Sequence, residues 1–135
     1  MKYDIRIDEH GTKRYCINNV LHREDGPACE YSDGAKEWCQ NGILHREDGP
    51  ALEYADGEKQ WYKNGQRHRE DGPALEYADG TKCWYKNGTL HREEGPAVEH
   101  YDGGKEWWLN TKCYGTNNKF TNDSWKFFVK TLIFS

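Results

Sequence analysis

The sequence has no long apolar run, no pair of cysteines in C-x-x-C spacing, no cluster of lysines and no glycine-rich loop leading into a helix. Each absence removes a class of protein. Nothing approaches the length needed to span a bilayer as a helix. The opening residues Met1-Lys2-Tyr3-Asp4-Ile5-Arg6 hold no apolar signal segment, which leads us to expect a chain that is not secreted. Five cysteines, an odd count without a C-x-x-C pair, point to a reducing, cytoplasmic setting. The formal charge of −4 is modest and basic and acidic residues alternate, so there is no broad positive field for a nucleic-acid backbone or an anionic membrane. Hydrophobic residues make up only 35% of the chain, too lean for one central core; a thin core spread along the chain is expected instead.

Aromatic residues, by contrast, are abundant, with six tryptophans and nine tyrosines. Such large apolar side chains offset chain entropy, so disorder is not expected. They recur at a fixed step. Leu21-His22-Arg23-Glu24-Asp25-Gly26-Pro27-Ala28 returns at Leu44–Ala51, again as Arg67–Ala74, and with one substitution as Leu90–Ala97. The period is 23 residues throughout. Asp-Gly pairs (Asp33-Gly34, Asp56-Gly57, Asp79-Gly80, Asp102-Gly103), tryptophans (Trp38, Trp61, Trp84, Trp107) and Asn-Gly pairs (Asn41-Gly42, Asn64-Gly65, Asn87-Gly88) keep the same step. The flanking copies carry Asn18-Asn19 and Asn110-Thr111 at the last of these positions.

Each copy reads as an antiparallel hairpin. Pro73-Ala74-Leu75-Glu76-Tyr77 alternates apolar and polar, Asp79-Gly80 turns the chain, and Lys82-Cys83-Trp84-Tyr85-Lys86 returns as the second strand. A longer connection from Asn87-Gly88 through His91 to Gly95 then leads to the next copy. Proline at positions 27, 50, 73 and 96 suits the first residue of a strand. A lone hairpin is marginal in water, so stacked neighbours must bury the Leu, Tyr and Trp side chains. The ends read as caps: an alternating edge strand with Ile5 and Ile7, and a helix over about 123–133. Thr121-Asn122-Asp123-Ser124 supplies N-cap side chains, and Trp125, Phe128, Val129, Leu132 and Ile133 form one apolar stripe. The expected fold is therefore mainly β: a single-sheet or solenoid-like array of about five hairpin repeats over 1–111, with a C-terminal cap over 112–135.

Segments such as Trp61-Tyr62-Lys63-Asn64-Gly65-Gln66-Arg67-His68 and Tyr77-Ala78-Asp79-Gly80 resemble MORN repeats, with their W-K-N-G-K-x-H and Y-x-D-G elements, over residues 5 to 111. The usual tryptophan position falls on Tyr62 and Tyr85, and Arg-Glu-Asp-Gly-Pro-Ala replaces G-x-G after the histidine. This is similar to the divergent H-R-x-D-G-P-A variety of bacteria, phages and large DNA viruses. The resemblance implies a scaffold or protein-binding surface, in some members with membrane lipids as partners; the acidic balance argues against lipid here.

Two faces are candidate sites. The ladder of His22, Arg23, His45, Arg46, His68, Arg69, His91 and Arg92 would form a charged rim, its arginines able to pair bidentately with a carboxylate or phosphate. The plainer reading is a set of solvated loops whose charges satisfy one another. Trp38, Trp61, Trp84 and Trp107 read as structural core, with a stacking platform as the alternative. Tyr62, Tyr85 and Trp108 then point to the opposite face and become candidates for an exposed binding surface, with Cys16 and Cys39 in the same row. Cys29 stands where Leu52 and Leu75 stand, as a small apolar residue; adjacent Cys16 and Cys39 could also be close enough to pair. Histidines one hairpin apart lie roughly 10 Å from each other, at about 4.8 Å per strand, too far to share a zinc ion, and no metal or other cofactor is expected.

Near-identical repeats distribute the same residues evenly, whereas catalysis needs one unique set, so no catalytic residues and no enzyme are expected. The expected function is a cytoplasmic protein–protein interaction module, in its specific form a phage or viral protein that binds and inhibits a host defence factor in the host cytoplasm. The alternative is a protein that sequesters a nucleotide or other small anion between arginines and aromatics. Nucleic acid is disfavoured by charge, and the C-terminal helix offers a route to a homo-oligomer through Trp125 and Phe128.

Overall fold

A computed structural model describes residues 2–133, the side chain of Ile133 excepted. The fold is mainly β, built of antiparallel hairpins, with one C-terminal helix. The chain divides into two compact units, Met1–Arg67 and His68–Ser135.

In the first unit one sheet runs in the order Asp4–Ile7, Lys13–Ile17, Cys29–Glu30, Lys36–Glu37, Leu52–Glu53, Lys59–Gln60, and Val20–Leu21 pairs with Lys13–Ile17 off this path. Two tight hairpins stand beside it, Cys39–Gln40 with Ile43–Leu44 and Tyr62–Lys63 with Gln66–Arg67. In the second unit the order is Leu75–Glu76, Lys82–Cys83, Val98–Glu99, Lys105–Leu109, Lys112–Thr116, with Tyr85–Lys86 and Thr89–Leu90 as the separate hairpin.

Each inner repeat thus holds two hairpins, where the sequence led us to expect one hairpin and a long connection from Asn-Gly. The first, in the sheet, closes at Asp-Gly. Tyr77 N donates to Thr81 O at 2.9 Å and Gly80 N to Tyr77 O at 3.0 Å, with Gly80 at φ 97°. That is a three-residue loop whose last residue must be left-handed. The second closes at Asn-Gly: Asn41 (φ 53°) and Gly42 (φ 76°) both have positive φ, the two-residue turn whose twist matches its strands. The strand breaks at the tryptophan between them. Trp38 donates its N–H to Ala51 O at 2.8 Å, while its own carbonyl accepts from His45 N at 3.0 Å, so the backbone crosses here from sheet to side hairpin.

The two sheet faces differ sharply. One carries alternating charge from strand to strand: Lys13, Glu30, Lys36, Glu53 and Lys59 face one another in the first unit, and Glu76, Lys82, Glu99 and Lys105 in the second. Opposite charges directly across strands stabilise a sheet, and the mixture leaves little net field. The other face mixes apolar and polar side chains in the first unit, where Arg14, Cys29, Glu37, Leu52 and Gln60 stand across from one another. In the second unit Leu75, Cys83 and Val98 form a buried cluster covered by Tyr85, Leu90 and Trp108 from the side hairpin and the last hairpin. Burying a side chain such as Leu75 contributes about 2 kcal/mol. Ala28 and Ala51 in the first unit and Ala74 and Ala97 in the second are all fully enclosed.

The helix α1 (Asn122–Ile133) starts at a reciprocal cap: Ser124 N donates to Thr121 Oγ1 at 3.1 Å and Thr121 N to Ser124 Oγ at 2.9 Å. Trp125 and Val129 pack on Trp107 and Leu109, flanked by Tyr114, Phe120 and Phe128. Trp125 Nε1 donates to Arg92 O at 2.9 Å, so this ring is spent inside the chain. The stripe continues to Leu132, which is 39% exposed; the side chain of Ile133 lies outside the described residues. The expected boundary between residues 111 and 112 falls inside the hairpin formed by Lys105–Leu109 and Lys112–Thr116.

Candidate functional site

The loop after each side hairpin carries the His-Arg-Glu-Asp string, and the structure shows what each member does. The histidine is a fastener. Its Nδ1 accepts a backbone N–H from the asparagine nineteen residues further on: Asn41 to His22 at 2.9 Å, Asn64 to His45 at 3.0 Å, Asn87 to His68 at 3.0 Å and Asn110 to His91 at 3.1 Å. An N–H aimed at Nδ1 fixes the neutral tautomer with its proton on Nε2. That nitrogen faces the loop glutamate, at 2.8 Å for His45 and Glu47 and 2.6 Å for His68 and Glu70. The imidazoles are about nine-tenths buried. Burial pushes His91 below its ordinary pKa against the opposing pull of Glu93.

The arginine is a lid. The Arg46 guanidinium lies 3.9 Å from the Trp38 ring centroid, Arg92 lies 3.8 Å from Trp84, and Arg23 lies 3.8 Å from Tyr15 in the first repeat. Nη1 donates to the carbonyl of the loop proline, at 3.2 Å for Arg23 and Pro27 and 3.0 Å for Arg46 and Pro50, Arg69 and Pro73, and Arg92 and Pro96. Nε donates to the loop aspartate in the first three copies. A sheet glutamate lies within 3.7 Å of Nη1 in all four. The guanidiniums are therefore largely committed within the chain, and about four-fifths covered.

Trp107 is fully enclosed, packed against Trp125 of the helix, whereas Trp38, Trp61 and Trp84 are half-buried, Trp38 beneath Arg46 and Trp84 beneath Arg92. Tyr62, Tyr85 and Trp108, expected on an open face, are half-buried as well. Tyr85 and Trp108 lie on the Leu75 and Val98 core, and Tyr62 donates to Gln60 Oε1 at 3.1 Å. The strand breaks at Trp84, and the pairing register shifts between Trp107 and Trp108; both irregularities accompany the placement of Tyr85 and Trp108 over Leu75 and Val98.

What the loops leave exposed is carboxylate. Glu24 and Asp25 are 56% and 72% exposed, Glu47 and Asp48 67% and 87%, and Glu70 and Asp71 77% and 86%. In the first unit two such loops wall a groove of about 600 Å³ with Trp38 on its lining. In the second unit a groove of about 480 Å³ is walled by Glu70, Asp71, Glu93 and Glu94, with Trp84 beside them. The His-Arg-Glu-Asp string was expected as a charged rim with its histidines and arginines as the binding residues; its exposed members are the acidic ones. The signal of the acidic rim was the glutamate two residues after every histidine, exposed once the histidine turns inward.

Among the described residues no group of three or more His, Cys, Asp or Glu is placed to hold a metal ion, and no helix is long and apolar enough to cross a membrane. All five cysteines are free, four of them buried and Cys113 exposed. Burial raises the Cys39 thiol to about 11 and raises Cys29 as well. Comparison with protein-family models finds no match, and comparison with curated proteins finds none.

Proposed function

We propose that this chain is a non-enzymatic, cytoplasmic protein-interaction module whose acidic loop rim holds an extended basic segment of a partner protein. One observation carries the reading: grooves edged by exposed carboxylates recur at the same repeat positions in both units. Lysine or arginine side chains of a partner would find complementary charge there, and complementary charge steers encounter and sets specificity. The arginines that a nucleotide or other anion would need already face Asp and Glu and cover aromatic rings, which weighs against the anion-sequestering alternative. The narrower form, a phage or viral inhibitor of a host defence factor, rests on the MORN-like character of the repeats.

The test is affinity capture from host lysate, read by mass spectrometry, with Glu24→Gln, Glu47→Gln, Glu70→Gln and Glu93→Gln combined as the control. Glutamine keeps the oxygen that faces each histidine and removes only the charge. One stoichiometric partner, lost in the variant and carrying a basic segment that binds the purified protein alone, is the expected result. Equal capture by both proteins would refute the rim. Stabilisation by millimolar ATP in a thermal-shift assay, with no partner captured, would favour the anion reading.

A further inference from the structure

We infer that Asp4–Ile7 is a self-pairing edge through which two copies of this chain join antiparallel. In the first unit this strand begins the sheet and is bonded to Lys13–Ile17 on one side. A strand bonded on one side presents unpaired N–H and C=O groups of alternate residues outward, a template for another strand. Within the same sheet Lys36–Glu37, by contrast, is flanked on both sides.

Edges are usually blunted by proline, by a bulge or by inward charge. Asp4-Ile5-Arg6-Ile7 has neither proline nor bulge, and its register with Lys13–Cys16 runs without a break. Its charges, Asp4 and Arg6, stand on the face of Cys16, Cys29 and Leu52 but are of opposite sign and pair with each other at 2.8 Å. All four residues are exposed, Ile5 at 50% and Ile7 at 68%. Two inner strands of this sheet, Cys29–Glu30 and Leu52–Glu53, directly follow Pro27-Ala28 and Pro50-Ala51, whose alanines are enclosed. The edge strand sets Ile5 across from Tyr15, the ring that stands where the repeats place tryptophan.

The sequence chooses the occupant. Antiparallel pairing of the strand with its own copy, centred on Ile5, sets Asp4 opposite Arg6 of the second copy twice and Ile5 opposite Ile5. Asp4 and Arg6 already hold each other at 2.8 Å on one side of the strand. Two such pairs would merge into a four-membered network of alternating charge. Centring on Arg6 would oppose like charges, and centring between Ile5 and Arg6 would set an aliphatic chain against a cation. Centring on Ile7 would set Arg6 opposite Asp8, a carboxylate already held by Arg14 at 3.0 Å; the first register alone pairs Asp4 with Arg6, and a two-fold operation of this kind closes on itself as a dimer.

Sedimentation equilibrium of the full chain across a wide concentration range tests this. A monomer–dimer equilibrium is expected. Ile5→Lys, Asp4→Arg and Arg6→Asp should each raise the dimer dissociation constant roughly tenfold or more. The double exchange of Asp4→Arg with Arg6→Asp should restore it, because complementarity returns with the signs reversed. Circular dichroism of each variant should match the parent, since the altered side chains are exposed. A monomer at every concentration, a dimer indifferent to all three single changes, or open-ended growth beyond the dimer would overturn the proposal. Loss in the single variants without recovery in the double exchange would overturn the register.

Discussion

If the arginine ladder is scaffold, replacing Arg46 must cost stability, and the cost can be worked from its contacts. The guanidinium sits 3.9 Å from the Trp38 centroid with the side chain only 23% exposed. A partly desolvated cation–π contact contributes about 0.5–2 kcal/mol. The bond from Nη1 to Pro50 O at 3.0 Å has a charged donor, which contributes about 1.5–3 kcal/mol when well formed. The pair with Asp48 adds little, because that carboxylate is 87% exposed. Allowing for overlap between these contacts, Arg46→Ala should cost about 2–4 kcal/mol, and Arg46→Lys should recover less than half of it. Lysine keeps the charge but lacks the planar fork that covers the ring and reaches the carbonyl at once. Urea unfolding of the three proteins, in low salt and in 1 M NaCl, measures this. Salt screens the exposed Asp48 pair and leaves the stack and the carbonyl bond, so most of the loss should survive. A loss below about 1 kcal/mol, a lysine variant equal to the parent, or an effect that vanishes in salt would refute the lid and return Arg46 to the list of residues free to bind a partner.

Two further outcomes follow from the buried groups. Because burial lowers the folded pKa of His91, the unfolded chain binds its proton first; stability from this site is complete above about pH 6.5 and falls as pH drops through that value. The urea midpoint should therefore decline more between pH 7.5 and 5.5 in the parent than in His91→Gln, and equal declines would count against the assignment. Native labelling with a maleimide at pH 7 should modify Cys113 quickly and leave Cys39 and Cys29 unmodified, since burial holds both thiols in the protonated form; all five should react in urea, and rapid native labelling of Cys39 would contradict the closed core.

Much of this architecture is written in short-range chemistry. Asn41-Gly42 and Asp79-Gly80 name their turns because their side chains set which φ values are accessible, and Thr121 with Ser124 names the helix start because both caps are satisfied within three residues. The period of 23, the hairpins closed at Asp-Gly and the C-terminal helix followed from such signals, whereas the second hairpin of each inner repeat, closed at Asn-Gly, reads in the sequence as a longer connection. Tertiary structure decided what each face meets. Alternation shows that Tyr85 and Trp84 point in opposite directions, but only the crossing of the backbone at Trp84 turns Tyr85 onto Leu75 and Val98 and leaves Trp84 beneath Arg92. The histidines looked like a rim for the same reason: their partners are backbone N–H groups nineteen residues away, presented only when the next hairpin stacks alongside. Local dihedral preferences act over a few residues, so the sequence alone determines the pieces and their turns. Burial is a property of the assembled neighbours, so the fold decides that histidine and arginine serve the scaffold and that the glutamates and aspartates face solvent.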